Sequence, residues 1–266
     1  MSLVLHALRC ESLRTSRYQI TRGIDYPCYE IPRMTLTIRR ATPADEPALA
    51  ALSTIAWFNE CLFGDTIHPN RHEYPDDVQI FWHQAMRKHF YCNTEVILVA
   101  TTTEEEQEKI VALAIWQRQG DDAGVKQVQE EWSNPGPNAF PPLSSENNRA
   151  LNPSKRTILE DAFPYFAHYW DGERRNNWYL SLCGTHPDYQ GRGYGRQLVL
   201  WGLDRAREEN VHASVVASEG NSPFYLRCGY DEVIANVTKG EGNPLNGVSG
   251  GDLLFMWPKN HASTSF

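Results

Sequence analysis

Gly191, Gly193 and Gly195 alternate along "QGRGYG", between an apolar run that ends at Thr185 and a helical pattern that starts near Tyr194. Backbone N–H groups in the first turn of a helix have no partner inside the helix, and the aligned peptide dipoles add partial positive charge there. Glycines bare that backbone and allow angles that other residues avoid. The pattern therefore predicts a cradle for an anion, and a phosphate is the natural ligand. Two common phosphate sites do not fit. A nucleotide P-loop needs Lys followed by Ser or Thr after the last glycine, and this chain has Arg196 and Gln197. A dinucleotide site needs G-x-G-x-x-G in a tight turn directly after the strand, whereas here the spacing is G-x-G-x-G and "HPDYQ" intervenes.

The elements that must position this loop follow from periodicity. "NWYLSLCGT" reads as the strand before it, and the stretch through Glu209 as the helix after it. Upstream, "MTLTIRRAT" (34–42) alternates like a first strand, and Thr42-Pro43-Ala44-Asp45 opens a helix that continues through "EPALAALSTIAWF". "DVQIFWHQAMRKHFY" reads as a second amphipathic helix, and "EVILVAT" (95–101) with "IVALAIWQRQ" (110–119) as a hairpin across a charged turn. Residues 120–153 carry five prolines and little periodicity. They are expected to form a proline-rich insertion, reaching to about residue 160, of the kind that is often functional when it interrupts a compact domain. "ILEDAFPYFAHYW" reads as a helix interrupted at Pro164; "HASVVAS", the short helix "SPFYLRC", "YDEVIANVT" and "GDLLFMWP" complete an α/β chain. One domain is expected over residues 34–260, after an N-terminal extension over 1–33.

Bulk properties narrow the function. The chain has 266 residues, 41% hydrophobic, and a formal charge of −8. That is enough for a sizeable core, and the charge argues against a nucleic-acid surface. No run approaches the ~18 apolar residues of a membrane span. The six cysteines are scattered with no CxxC pair, which argues against a zinc cluster or redox dithiol and fits reduced thiols in the cytoplasm. In "MSLVLHALRCESLRTSRYQI" the basic residues follow the apolar run, unlike a secretory signal, and Glu11 counts against a mitochondrial presequence. His68 and His72 have i, i+4 spacing, but Pro69 denies them a helix, so no metal pair is expected.

The fuller string "GTHPDYQGRGYGRQLV" resembles motif A of the GNAT family of acyl-CoA-dependent N-acetyltransferases, and "FYLRCGYDEV" resembles the next motif of that family. Residues 178–233 match in the right order, and the wording is most similar to that of fungal members. The resemblance implies a mixed, mostly antiparallel twisted sheet of about six to seven strands, flanked by helices and splayed at the acetyl-CoA strand. It implies acetyl-CoA as cosubstrate, no metal, and direct transfer to an amine. The pyrophosphate would rest on Gln190, Gly191, Arg192, Gly193, Tyr194, Gly195 and Arg196. The pantetheine arm would pair like an added strand with Cys183, Gly184 and Thr185, with Gly184 at a bulge that aims an amide at the thioester carbonyl. Tyr225 would face the CoA sulfur, as a general acid or as a hydrogen-bond donor to the thiolate, and its titration would set an alkaline limb in the rate. Many members have an asparagine where this chain has Ser218; Asn221 could substitute from a shifted loop.

An alkylammonium acceptor must lose a proton, at a cost of about 4.6 kcal/mol at pH 7, so a base is required. Glu219 is the preferred candidate, with Glu60, Asp65, His68 and His72 as others, while His186 is read as ordering its loop. The acceptor pocket is expected from "WFNECLFGDTIHPNRHEYP" and the insertion, with Trp57, Phe58, Phe63, Tyr74, Trp132 and Phe140. A small-molecule amine is the preferred acceptor and a protein or peptide amine the alternative. A non-catalytic acyl-CoA-binding module is a third reading, which Tyr225 argues against. Monomer and homodimer both fit.

Overall fold

The computed structural model describes residues 36–259, apart from 105 and 144. The N-terminal extension, Cys10, Cys28 and the presequence question lie outside the described residues. Seven strands form one sheet: β1 (Thr37–Arg40), β2 (Glu95–Glu104), β3 (Gln107–Gln119), β4 (Asn177–Thr185), β5 (His212–Ala217), β6 (Glu232–Asn236) and β7 (Asp252–Met256). Their order is β1-β2-β3-β4-β5-β7-β6. Every neighbouring pair is antiparallel except β4 with β5. The helices are α1 (Glu46–Ala56), α2 (Pro75–Phe90), α3 (Ala123–Glu131), α4 (Ile158–Phe166), α5 (Tyr194–Glu209) and α6 (Ser222–Cys228).

Strand alternation divides the core between the two faces of the sheet. Ala112, Ala114 and Trp116 of β3 pack with Leu198, Val199 and Leu203 of α5. Leu113 and Ile115 pack with Leu49, Trp82 and Met86 of α1 and α2 on the other face. The α5 face is close enough that a Cβ on Gly202 would stand 2.2 Å from the Trp116 ring. Gly202→Ala would recover about 1 kcal/mol of helix propensity, but forcing a methyl into a buried, rigid indole costs about 1–3 kcal/mol. The expected result is a lower urea midpoint at unchanged slope; an unchanged or higher midpoint would show that α5 lifts off the sheet without cost.

Two local features differ from the sequence reading. The β2–β3 ladder runs to Glu104 and Gln107, with Thr102 opposite Lys109 and Thr103 opposite Glu108. Charged side chains do not prevent backbone pairing at an exposed hairpin end, and Lys109 Nζ donates to Glu104 across it at 2.8 Å. Helix α1 stops at Ala56, before the apolar "WF", and the chain re-coils as a π-helical turn over Cys61–Ile67. At the start of α1 the Asp45 carboxylate accepts from the Thr42 N–H at 2.7 Å and from the Arg39 guanidinium at 2.8 Å.

Candidate active site

The parallel β4–β5 ladder covers only residues 177–180 against 212–215. On its other side β4 keeps pairing with β3, but Ile115 faces Leu182 while Trp116 faces Leu180, so Ser181 is an extra residue. From this bulge onward β4 diverges from β5, and a cleft of about 470 Å³ opens between them. The splay expected from the resemblance is thus present, but the bulge sits at Ser181 and not at Gly184, which pairs regularly with Leu113. An extra residue in a strand does not require a glycine. Gly184 is bare for a different reason: a Cβ there would lie 2.7 Å from the Trp57 indole, which lies against the strand.

The cleft wall includes Cys183, Gly184 and Thr185 from β4, and Gln190, Gly191, Gly193, Tyr194, Gly195 and Arg196 from the loop and the start of α5. Ser218, Asn221, Phe224 and Tyr225 complete it from the β5–α6 side. Of the expected cofactor-binding residues and the preferred base, Arg192 and Glu219 do not line it. Arg192 turns back, donating to the Asp188 carbonyl at 2.9 Å and lying over the Tyr189 ring at 5.1 Å. Tyr189 anchors the loop to the hairpin end: its hydroxyl donates to Glu104 and accepts from Lys109 at 2.8 Å. His186 accepts from the Asp188 N–H at 3.3 Å, which is the loop-ordering contact expected of it.

Gly191 and Gly193 hold φ of +74° and +88°, and a Cβ on either would meet nothing within 4 Å. Both therefore border open space at the mouth of the sixteen-residue helix α5, which Gly193 caps. First-turn amides of such a helix have no helical acceptor, so the loop fits an anionic diphosphate. Gly195 differs: its Cβ would lie 3.2 Å from Thr185 Oγ1, so its bareness lets α5 approach β4. Asn221 donates to Ser218 Oγ at 3.0 Å, so the two polar residues act as one pair on the opposite wall.

Tyr225 is 8% exposed and packs between Phe224 and Tyr230, at centroid distances of 5.1 and 5.8 Å. Burial, with Cys183, Cys228 and Tyr179 nearby, holds its phenol well above the usual value. Burial also pushes the Cys183 thiol up to about 12. Both groups are proton donors in this cleft and neither is a base.

The base candidates separate in space. Glu60 lines the cleft, and its Oε2 accepts from the N–H groups of Leu62 and Phe63 at 2.9 and 2.8 Å. Burial raises its carboxyl above the usual range, those two bonds oppose the rise, and Asp65 adds to it. Glu219 is exposed, outside the lining, and accepts from the Cys61 thiol at 3.5 Å. Asp65 pairs with Arg71. His68 is fully buried, its Nδ1–H donates to the Phe63 carbonyl at 2.7 Å, and burial lowers its pKa. His72 packs edge-on against Phe58.

The expected acceptor pocket needs correction. None of residues 120–153 lines the cleft. The insertion forms α3 and then packs on α2: Trp132 Nε1 donates to the Phe90 carbonyl, Phe140 meets Phe90 at 5.5 Å, and Arg149 pairs with Asp77. Tyr74 lies under the Arg149 guanidinium. Proline content marks a segment as irregular, but it does not say which surface the segment covers. Trp57 does line the cleft, stacked on Trp82 at 4.9 Å with Phe63 behind it at 6.0 Å. Ala56, Tyr189 and Phe224 are further lining residues that sequence reasoning missed. The π turn folds tightly onto the end of α1, where a Cβ on Gly64 would meet the Phe58 carbonyl at 2.5 Å. Among the described residues no cluster of three His, Cys, Asp or Glu could hold a metal, and no helix is long and apolar enough to cross a membrane.

Residues 157–230 match the acetyltransferase (GNAT) family model. Among solved structures, a histone acetyltransferase HPA2 and related acetyltransferase from Corynebacterium glutamicum aligns at 17% identity and a TM-score of 0.53, covering 87% of this chain and 100% of that one. It shares the fold. PaiA N-acetyltransferase from Thermoplasma acidophilum, in complex with coenzyme A, aligns at 9% identity and a TM-score of 0.46, covering 84% and 99% of the two chains. A GNAT family acetyltransferase from Brucella melitensis, in complex with acetyl-CoA, aligns at 14% identity and a TM-score of 0.36, covering 74% and 84%.

Proposed function

The chain belongs to the acetyltransferase (GNAT) family, and on that premise we propose that it transfers an acetyl group from acetyl-CoA directly to the amine of a small molecule. The observation that carries this reading is the splayed cleft, whose lining includes both the glycine loop at the start of α5 and the buried Tyr225. Amides of residues 191–196 would hold the diphosphate, and Cys183, Gly184 and Thr185 would offer main-chain partners to the pantetheine arm. The Ser218–Asn221 pair lies on the facing wall. Acetyl-CoA supplies an activated acyl carbon. The protein supplies orientation, exclusion of water, and the Tyr225 hydroxyl toward the departing sulfur. We assign residues 34–260 to this one catalytic domain.

A small acceptor is favoured by the Cys61–Glu219 contact. Cys61 follows Glu60 on one wall and Glu219 follows Ser218 on the other, so the two walls meet at this contact and narrow the cleft for an extended chain. Thiol release from acetyl-CoA, measured over matched panels of small amines and peptides with product masses, tests the reading. Selective acetylation of small amines is expected. Selectivity for peptides would move the acceptor to that class. Tight CoA binding with no thiol release would make the chain a binding module.

A further inference from the structure

We propose that Glu60 accepts the proton of the acceptor, and that the substrate class is therefore a primary alkylammonium compound and not an aromatic amine. The inference rests on the acetyltransferase reading above. Among the described residues that line the cleft, Glu60 alone carries a carboxylate. Two further groups there, Tyr225 and Cys183, are held in their protonated forms by burial, and the remaining titratable side chains of the lining are Tyr189, Tyr194 and Arg196.

The position of Glu60 is fixed by local structure. It caps the π-helical turn over Cys61–Ile67, and both backbone bonds go to the same oxygen, Oε2. Oε1 has no protein partner among the described residues and is left to accept from a ligand. Turns of this kind occur often at functional sites. The Trp57 indole, stacked on Trp82, lines the same cleft as the carboxylate, and an aromatic ring attracts a cation, most strongly where water is excluded. A cleft that offers both a carboxylate and an indole selects an ammonium. A neutral arylamine would need neither group.

The surroundings keep this assignment specific. Asp65 and Cys61 face Glu60 from its own turn, Asp65 being paired with Arg71 and Cys61 with Glu219. Cys183, Tyr225 and Arg196 share the cleft from the β4, α6 and α5 sides. In the reaction one ammonium N–H bond breaks and its proton goes to Glu60 Oε1. The freed lone pair forms the C–N bond with the acetyl carbonyl carbon. The C–S bond breaks, its electron pair stays on sulfur, and the second N–H proton passes to that thiolate. Glu60 then returns its proton to water.

Glu60→Gln keeps the shape and an acceptor for the Leu62 and Phe63 amides. With a primary alkylamine at pH 7, kcat/KM is expected to fall about 10²–10⁴-fold, with calorimetric CoA affinity unchanged. An arylamine, which arrives neutral, should change by no more than about threefold, because no ammonium proton has to be removed. The wild type on the alkylamine should be flat above the Glu60 titration, whereas the variant should rise about tenfold per pH unit as free amine appears. An equal loss on both amines, no loss on either, or a deficit that does not shrink with pH would overturn the assignment. The same alkylamine-specific loss in Glu219→Gln, with Glu60→Gln unaffected, would overturn it in favour of Glu219. A wild type that acetylates no amine while binding CoA overturns the acetyltransferase reading itself, which is a separate result.

Discussion

Tyr225→Phe lowers kcat by about 10²–10⁴-fold, the usual contribution of a positioned proton donor, and leaves acceptor KM and CoA affinity within about twofold of wild type. The ring stays packed between Phe224 and Tyr230, so only the hydroxyl is lost. Thiolate charge develops late in the reaction, and a donor that meets it there acts on kcat and not on ground-state binding. From ordinary values, complete transfer from a phenol to a thiolate is uphill by about 2 kcal/mol. Burial holds this phenol higher still, which widens that gap and favours a hydrogen bond over full transfer. The same burial changes the expected pH profile. An unperturbed phenol would impose an alkaline limb that vanishes with the hydroxyl. Here the phenol stays protonated through the usual range of assay, so wild type and variant should share the shape of the profile and differ only in height. Steady-state thiol release from pH 6 to about 9.5, below the ordinary phenol value, measures both quantities. A near-normal kcat would make Tyr225 a packing residue.

Gly193→Val weakens CoA binding by about 10²–10⁴-fold, equivalent to losing two hydrogen bonds to a charged group at about 1.5–3 kcal/mol each. The side chain would enter the open space beside the first turn of α5, which no protein atom within 4 Å now fills. It would also force a β-branched residue to a φ near +88°, so strain and blocked binding must be told apart. Gly247→Val is the matched control: φ is +93°, nothing lies within 4 Å, and Gly247 is not part of the cleft. Calorimetry against CoA, with thermal unfolding of both variants, is the measurement. Loss of affinity in Gly193→Val alone supports the cradle. Equal affinities in the two variants would remove it.

The sequence by itself determined the parts of this protein that depend on local chain constraints. Gly191 and Gly193 read correctly as left-handed positions at a helix mouth, because only glycine takes such angles at little cost. The short apolar runs "EVILVAT" and "IVALAIWQRQ" on either side of a charged turn read correctly as a hairpin, because runs of that length bounded by turn residues suit strands. The order of motifs around Tyr225 placed the phenol on a short helix after β5. Tertiary structure decided what depends on residues far apart in the chain. Register between β3 and β4 put the bulge at Ser181, and packing of Trp57 on the strand explained Gly184. The proline-rich insertion could have covered the cleft or α2, and contacts of Trp132, Phe140 and Arg149 with α2 decided it. Sequence reading preferred Glu219 over Glu60 as the base, because nothing in a short window of residues separates two carboxylates by burial. Only the end of α1, the π turn and the divergence of β4 from β5 place one in the cleft and the other at its exposed rim, because burial and electrostatics arise from long-range packing and are not encoded in any short window of residues.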